Sequence, residues 1–236
     1  ETAAAFAGAG AHVVLGDVAE EKAREIADGL NKKHGEGTAF SVLLDVTSES
    51  SVHRAFNAAV LTYGGIDIVF SNAGIATSAP IENLDLEAWR RNFDVNATGT
   101  FIIARAALRH FREQGIGGAV VLNATKNVLA PGKEFAAYSA SKAAAVQLAR
   151  VLALEGGEHG VRVNIVNPDA VFDGSGLWSR EVRHQRAKAQ GINPRELESF
   201  YAKRNILQAR VTARDVAAAV LFLASERAAK TTGALL

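Results

Sequence analysis

The chain predicts an α/β fold built on a doubly wound parallel sheet with helices on both faces, and three observations carry that prediction. Strand and helix signals alternate from end to end, the pattern of crossover units. The strand signals end on polar residues: Asp17, Asp45, Asn72-Ala73-Gly74, Thr125 and Asn167-Pro168. In open parallel sheets the carboxyl ends of the strands are where ligands bind. Finally, 236 residues with 48% hydrophobic and 22% charged content suffice for one large core without disorder.

Residues 1–9 are alanine-rich and end a helix at Gly10; His12 to Leu15 is a short apolar strand running into Gly16-Asp17. Helical periodicity over 19–33 stops at Gly35 and Gly37, and Ala39 to Leu44 is the next strand. Ser48 is placed to cap a helix through Tyr63, which Gly64-Gly65 terminates. Ile66 to Phe70 is a strand entering Ser71-Asn72-Ala73-Gly74. One long helix is predicted over 85–113 with Asp85 as its cap, then a buried strand from Ala119 to Leu122. A helix carrying Tyr138 and Lys142 runs to about Leu154. Val161 to Val166 is a further strand, residues 174–210 are polar, arginine-rich and read as a helical lid, and Asp215 to Ala224 is a last amphipathic helix. No internal repeat or low-complexity linker divides the chain, so residues 1–236 read as a single domain.

Composition narrows the functional classes. A net charge of +1 favours neither nucleic acid nor a membrane surface, and no apolar run reaches the ~20 residues of a membrane span. With no signal peptide at the start, a cytoplasmic protein is expected. The absence of cysteine removes thiol catalysis and cysteine-zinc sites, and the six histidines lack ligand spacing, so no metal is expected.

The chemistry centres on Tyr138-Ser139-Ala140-Ser141-Lys142. A phenol and an ammonium four residues apart share one helix face. A nearby positive charge favours the phenolate, so Lys142 is expected to make Tyr138 more acidic than the ~10 of a free phenol. Thr125, thirteen residues before the tyrosine, offers a hydroxyl at a strand end that could hold a substrate oxygen against it.

With Asn72-Ala73-Gly74, Asn96 within Asn92-Phe93-Asp94-Val95-Asn96, the Tyr138/Lys142 pair, and Arg162-Val163-Asn164 leading to Pro168, nearly the whole chain resembles the short-chain dehydrogenase/reductase family. The resemblance implies a Rossmann-type domain and hydride transfer between a nicotinamide cofactor and an alcohol or carbonyl. It implies Tyr138 as general acid/base, Lys142 lowering its pKa and holding the nicotinamide ribose, and Thr125 on the substrate oxygen, in place of the more usual serine. Asn96 would hold a water linking Lys142 to solvent. Asp45 and Val46 would lie along the adenine, and Asn72, Ala73 and Gly74 along the adenosine ribose and strand end.

Asp17 speaks to cofactor choice. A carboxylate at this strand end accepts from both ribose hydroxyls and repels a 2′-phosphate, and Val18-Ala19-Glu20 brings no arginine, so NAD is expected over NADP. The family's first strand and glycine-rich turn would precede Glu1, and the chain stops where the final strand usually begins; together with the lack of methionine, this reads as a piece cut from a longer product.

After the strand Val161 to Val166, the sixth in the family's count, the family's usual glycine and threonine are both replaced by aspartate, in Asn167-Pro168-Asp169-Ala170-Val171-Phe172-Asp173-Gly174-Ser175. Cofactor contacts there are expected from Pro168 and the Val171 backbone. That run, with Thr125-Lys126-Asn127 and Gly176-Leu177-Trp178, is similar to the dehydrogenase halves of bifunctional rhamnulose-1-phosphate aldolase/lactaldehyde dehydrogenases. The resemblance implies a fused aldolase domain and an aldehyde such as lactaldehyde as substrate. Lys126, Asp169 and Trp178 are the candidate substrate contacts, with Arg180, Arg183 and Arg186 suited to a polar or anionic one. Another sugar, polyol or 3-oxoacyl substrate, or a catalytically silent nucleotide-binding module, are the competing readings. The family resemblance implies a homodimer or homotetramer, since the helices matching 85–113 and 135–155 form the subunit interface in its members; their small residues would permit close helix approach and serve internal sheet packing equally well.

Overall fold

The computed structural model describes residues 1–236 and has a Rossmann-like α/β fold, with parallel strands flanked by helices. In chain order the principal elements are α1 (Thr2–Gly8), β1 (Val13–Asp17), α2 (Glu20–His34), β2 (Ala39–Leu43), α3 (Glu49–Tyr63) and β3 (Ile68–Ser71). They continue with α4 (Leu86–Phe93), α5 (Gly99–Gln114), β4 (Gly118–Asn123), α6 (Ala136–Gly157) and β5 (Val161–Val166), and end with α7 (Arg180–Gln190), α8 (Leu197–Ala202) and α9 (Ala213–Ala224).

All strand pairing is parallel, but the strands form two sheets: β1 with β2, and β3-β4-β5. No backbone ladder joins them. Helices do: α1 packs on α9, α2 and β1, while α3 and α5 touch each other and reach β2 and β3 respectively. The last residues extend the second sheet, with Leu236 N–H donating to Ile165 O at 2.9 Å and Asn167 N–H to Leu236 O at 2.7 Å.

The main core lies between β4, β5, α5 and α6, where Phe111, Val163 and Ile165 are fully buried. Strands buried on both faces need the unbroken apolar runs seen at 119–122 and 161–166. A second cluster joins the other side of the sheet to α9 through Val121, Val166, Val220 and Leu223.

Helix ends follow local chemistry. The Ser48 hydroxyl accepts from Ser51 N–H and Gly64 closes α3 in the left-handed conformation; Asp85 accepts from Ala88 N–H to start α4. Helix α9 begins before the predicted Asp215, because Thr212 and Asp215 form a reciprocal capping box. Strand β3 starts two residues later than predicted. The Gln114 amide bonds both backbone groups of Ile66, each at 3.1 Å, removing that residue from the ladder. A Cβ on Gly65 would sit 2.6 Å from Gln114 Oε1, so the side chain can reach only because residue 65 is glycine.

The predicted helix 85–113 is real but interrupted. Residues Asp94–Thr98 form a π-turn between α4 and α5. Asn96 sits in that turn, its carbonyl accepting from the Thr100 hydroxyl at 2.7 Å. Such bulges shift a side chain off the regular helix face.

The family-like Arg162-Val163-Asn164 run serves the architecture. The Arg162 guanidinium donates to the carbonyls of Leu223, Ala224, Ser225 and Ala228, satisfying the open end of α9. Asn164 donates to Thr231 O and accepts from Ala234 N–H, holding the final segment beside β5.

Candidate active site

The carboxyl ends of β3, β4 and β5 bring together residues distant in sequence. From β4, the Asn123 carbonyl accepts from Lys142 Nζ at 2.8 Å, and the Asn123 side-chain amide donates to Asn72 Oδ1 at 2.8 Å. The exposed Asn72-Ala73-Gly74 segment continues from β3. It is pinned one residue later, where Asn96 Oδ1 accepts from Ile75 N–H and Asn96 Nδ2 donates to Ile75 O, both at 2.9 Å. Asn96 Nδ2 also donates to Ser141 Oγ at 2.9 Å, and Ser141 Oγ donates to Tyr138 O at 3.0 Å. A Cβ on Gly74 would stand 3.1 Å from both Asn96 Oδ1 and Lys142 Nζ, so glycine here lets the backbone approach closely.

Tyr138, Lys142, Asn96 and Thr125 are all buried. Burial acts oppositely on the acid and the base. Desolvation pushes the Tyr138 phenol above its usual 10, an increase partly offset by hydrogen bonding from the Thr125 hydroxyl. It lowers the Lys142 ammonium to about 8. The expected acidification of Tyr138 by Lys142 is therefore reversed in this structure. The ammonium is itself desolvated and engaged by the Asn123 carbonyl, so loss of water from the phenolate dominates.

Of the other candidate residues, Asp17 ends β1 exposed and accepts from Ala19 N–H at 2.9 Å. Asp45 accepts from the Thr47 N–H and hydroxyl, and these bonds hold its carboxyl below the usual range. The Val46 side chain is committed to the core beside Val52, Ile102 and Ile103. Pro168 O accepts from Lys126 N–H at 3.0 Å, bringing the β4 and β5 loops together, with Val171 half-buried beyond it. Burial lowers the Lys126 ammonium; nearby Arg204 and Arg186 add to the effect and Asp169 opposes it. Trp178 stacks on Phe172 at 4.2 Å and meets Tyr201 edge-on, so it is built into the aromatic cluster of segment 176–202.

Arg180 is exposed, but Arg183 and Arg186 are engaged within the protein and are not free for an anion. Arg183 donates to Trp178 O and Glu198, and Arg186 is 2% exposed and bonded to Lys133 O and Glu134. Asn123 and Ser141 belong to the site without standing out in the sequence, and Arg186, expected to suit an anionic substrate, is instead tied to the turn before α6. Asn123 carried a usable signal as a polar residue closing an apolar strand; the contact of Ser141 to Asn96 and those of Arg186 carried none, because their partners lie 45 or more residues away.

The site also has acceptors to spare. Asn123 Oδ1 and Asn167 Oδ1, at the ends of the paired strands β4 and β5, are buried without partners, as is Ser139 Oγ. Buried unpaired acceptors suit a ligand bringing N–H or O–H donors, as a carboxamide or ribose does. With the exposed strand-end carboxylate of Asp17, the residues present fit a nicotinamide dinucleotide. No cluster of potential metal ligands occurs in the structure, and no helix is long and apolar enough to cross a membrane.

A family model described as Enoyl-(Acyl carrier protein) reductase matches residues 1–236. A Bacillus subtilis protein, named uncharacterized oxidoreductase YuxG, is 46% identical over 231 residues, covering 98% of this chain and 34% of that protein. The chain thus spans about a third of that relative's length. The sorbitol-6-phosphate 2-dehydrogenase SrlD of Erwinia amylovora superposes with a TM-score of 0.91 at 31% identity, covering 100% of this chain and 91% of that one. The Brucella melitensis 3-ketoacyl-(acyl-carrier-protein) reductase, solved with NADH, gives 0.83 at 26% identity, covering 100% and 89%. Motif, fold and relatives agree: the chain belongs to the short-chain dehydrogenase/reductase family, oxidoreductases of alcohol and carbonyl substrates.

Proposed function

We propose that this protein is an NAD-dependent dehydrogenase in which Tyr138 moves the proton, Thr125 holds the substrate oxygen, and Lys142 supports the tyrosine. The observation that carries it is the packing of Tyr138, Lys142, Asn96 and Thr125 into one buried constellation at the strand ends. A nicotinamide dinucleotide, when bound, accepts or supplies the hydride and, oxidised, brings a positive charge beside the phenol.

The residues divide the remaining work. In the reducing direction a phenol held neutral by burial has its proton available for the carbonyl oxygen, while Thr125 fixes that oxygen. Lys142, at about 8, is largely protonated at neutral pH and lies one helical turn away as a source of positive charge. In the oxidising direction Tyr138 Oη takes the hydroxyl proton from the alcohol. Asn96 keeps the 72–75 segment beside Lys142. Asp17, with the 72–74 segment, Asp45 and the backbone at Val46, would bind the adenosine part, and Pro168 and Val171 the nicotinamide side. The preference for NAD rests on Asp17 repelling a 2′-phosphate.

Residues 1–236 would work as one domain, with 174–210 as lid and Lys126, Asp169 and Trp178 at or behind the substrate. The resemblance of residues 167–178 to bifunctional aldolase/dehydrogenases supports lactaldehyde as substrate and an aldolase domain as companion. The likeness to a sorbitol-6-phosphate dehydrogenase supports a sugar or polyol as the second reading. The reading includes a cytoplasmic homodimer or homotetramer, which light scattering tests.

The decisive experiment is NADH formation by the longest natural polypeptide containing these residues, with lactaldehyde and a panel of alcohols and polyols. Tyr138→Phe is expected to lower turnover by ~10²–10⁴-fold, the usual weight of a positioned proton donor. Unchanged turnover in that variant would refute the mechanism. Asp17→Ala is expected to erode discrimination against NADP; an unaltered preference would remove Asp17 from that role.

A further inference from the structure

We propose that Arg186 is a positioning residue that latches segment 176–202 onto the turn preceding α6 and, through Phe135, holds the Tyr138 ring. The inference rests on the reading of Tyr138 as proton donor for its effect on turnover, and on geometry alone for the latch itself.

Arginine is almost never fully buried without partners, and its guanidinium stays charged. Arg186 is 2% exposed and heads the largest fully buried side chains of the protein. Its Nη1 donates to Lys133 O at 3.0 Å and to the Glu134 carboxylate at 3.3 Å. Its guanidinium lies 4.7 Å from the Phe135 ring centroid. Three consecutive residues of one turn therefore receive a single side chain from α7.

That turn is under constraint. Glu134 has φ 69°, a conformation a non-glycine residue adopts only when its surroundings impose it. Ala79 N–H donates to Glu134 O at 2.9 Å from one side, and Arg186 holds the carboxylate from the other. The next residue, Phe135, precedes α6 without any side-chain cap, and its ring meets Tyr138 edge-on at 5.9 Å. The placement of Tyr138 is thus linked to whatever fixes Phe135.

On the lid side, the neighbouring Ala187 is fully buried in the cluster of Phe172, Leu197 and Tyr201. Arg186 cannot leave its partners without moving α7. Packing alone does not explain the residue, because a buried ion pair is commonly no more stabilising than an apolar side chain of similar volume. Arg186 Nε is moreover buried without a partner, a cost that an apolar residue would avoid. What the guanidinium supplies is a fixed geometry toward three groups at once.

The test uses Arg186→Met, Arg186→Lys and Phe135→Leu in the longest natural polypeptide. Latch closure is read by tryptic cleavage at the exposed Lys188, and by Trp178 emission in a Trp89→Phe background. Arg186→Met is expected to raise the cleavage rate ~10-fold through local opening. It should lower kcat by up to ~10²-fold, the scale of a lost alignment, with the cofactor KM unchanged. Arg186→Lys should recover part of both. Phe135→Leu should keep cleavage near the wild-type rate yet lose turnover, since Arg186 retains Lys133 O and Glu134 while the contact to Tyr138 is gone.

Wild-type cleavage and emission in Arg186→Met would overturn the latch, and full turnover in Phe135→Leu would overturn the link to Tyr138. Should Arg186→Met fail to fold, Arg186→Lys and Phe135→Leu decide by the same readouts. An absence of turnover in the unsubstituted protein would count against the functional reading, while cleavage and emission would still decide the latch.

Discussion

Lys142 Nζ donates to the backbone carbonyl of Asn123 at 2.8 Å, and this bond joins the candidate proton-handling helix to the end of the central strand of its sheet. The same asparagine reaches Asn72 on the neighbouring strand end through its side chain. One residue thereby sets the distance between the β3 loop, where a nucleotide would lie, and α6, which carries the tyrosine and lysine.

Asn123→Ala keeps the carbonyl and its bond to Lys142 but deletes the tether to Asn72. The expected loss is about 1 kcal/mol, the net worth of one such bond, measured by urea denaturation. The helix should be undisturbed, so far-UV circular dichroism should not change.

Lys142 predicts a specific pH dependence. Its pKa falls from 10.5 to about 8 on folding, so between those values the unfolded chain binds more protons and stability rises with pH. Below about 8 both states are protonated and the full burial penalty applies. Lys142→Met removes the penalty and the slope. The melting temperature of the wild type relative to this variant should therefore climb from pH 8 toward pH 10. Tyr138, raised by burial, opposes this trend only above its unfolded value near 10. A constant difference across that range would contradict the burial of the ammonium.

Asn96→Ala removes two bonds to Ile75 and one to Ser141 from a fully buried amide. A loss of about 2–4 kcal/mol is expected, since the Ile75 backbone groups and the Ser141 hydroxyl lose their partner in a half-buried or buried setting. Hydrogen exchange at the Ile75 amide should accelerate strongly, and protected exchange there would refute the assignment.

Arg162→Met strands the carbonyls that end α9. About 1.5–3 kcal/mol is expected to be lost, as for hydrogen bonds from a charged donor. Fraying of α9 seen by hydrogen exchange, with the main core still protected, would localise the effect.

Much of this molecule was legible from local chemistry. The cap at Ser48, the stop at Gly64, the strand at 161–166 and the helix face shared by Tyr138 and Lys142 each depend on residues within a few positions of one another. The misreadings share a different cause. Ile66 reads as a strand residue because its ladder competitor, Gln114, is 48 positions away. The π-turn at Asp94–Thr98 interrupts a helix whose periodicity gives no warning, since its stabilising contacts to Ile75 and Ser141 are long-range.

Periodicity, caps and strand-end residues, which act over one or two turns of chain, were enough to determine the fold class, the order of elements and the residue types that gather at the strand ends. Tertiary structure alone decided their electrostatic state and their constraints. It raised the Tyr138 pKa where a lysine one turn away argued for lowering it, and it made Arg186, suited by sequence to an anionic substrate, a buried tie. Desolvation depends on how many atoms surround a group from every side, a quantity no local stretch of sequence contains.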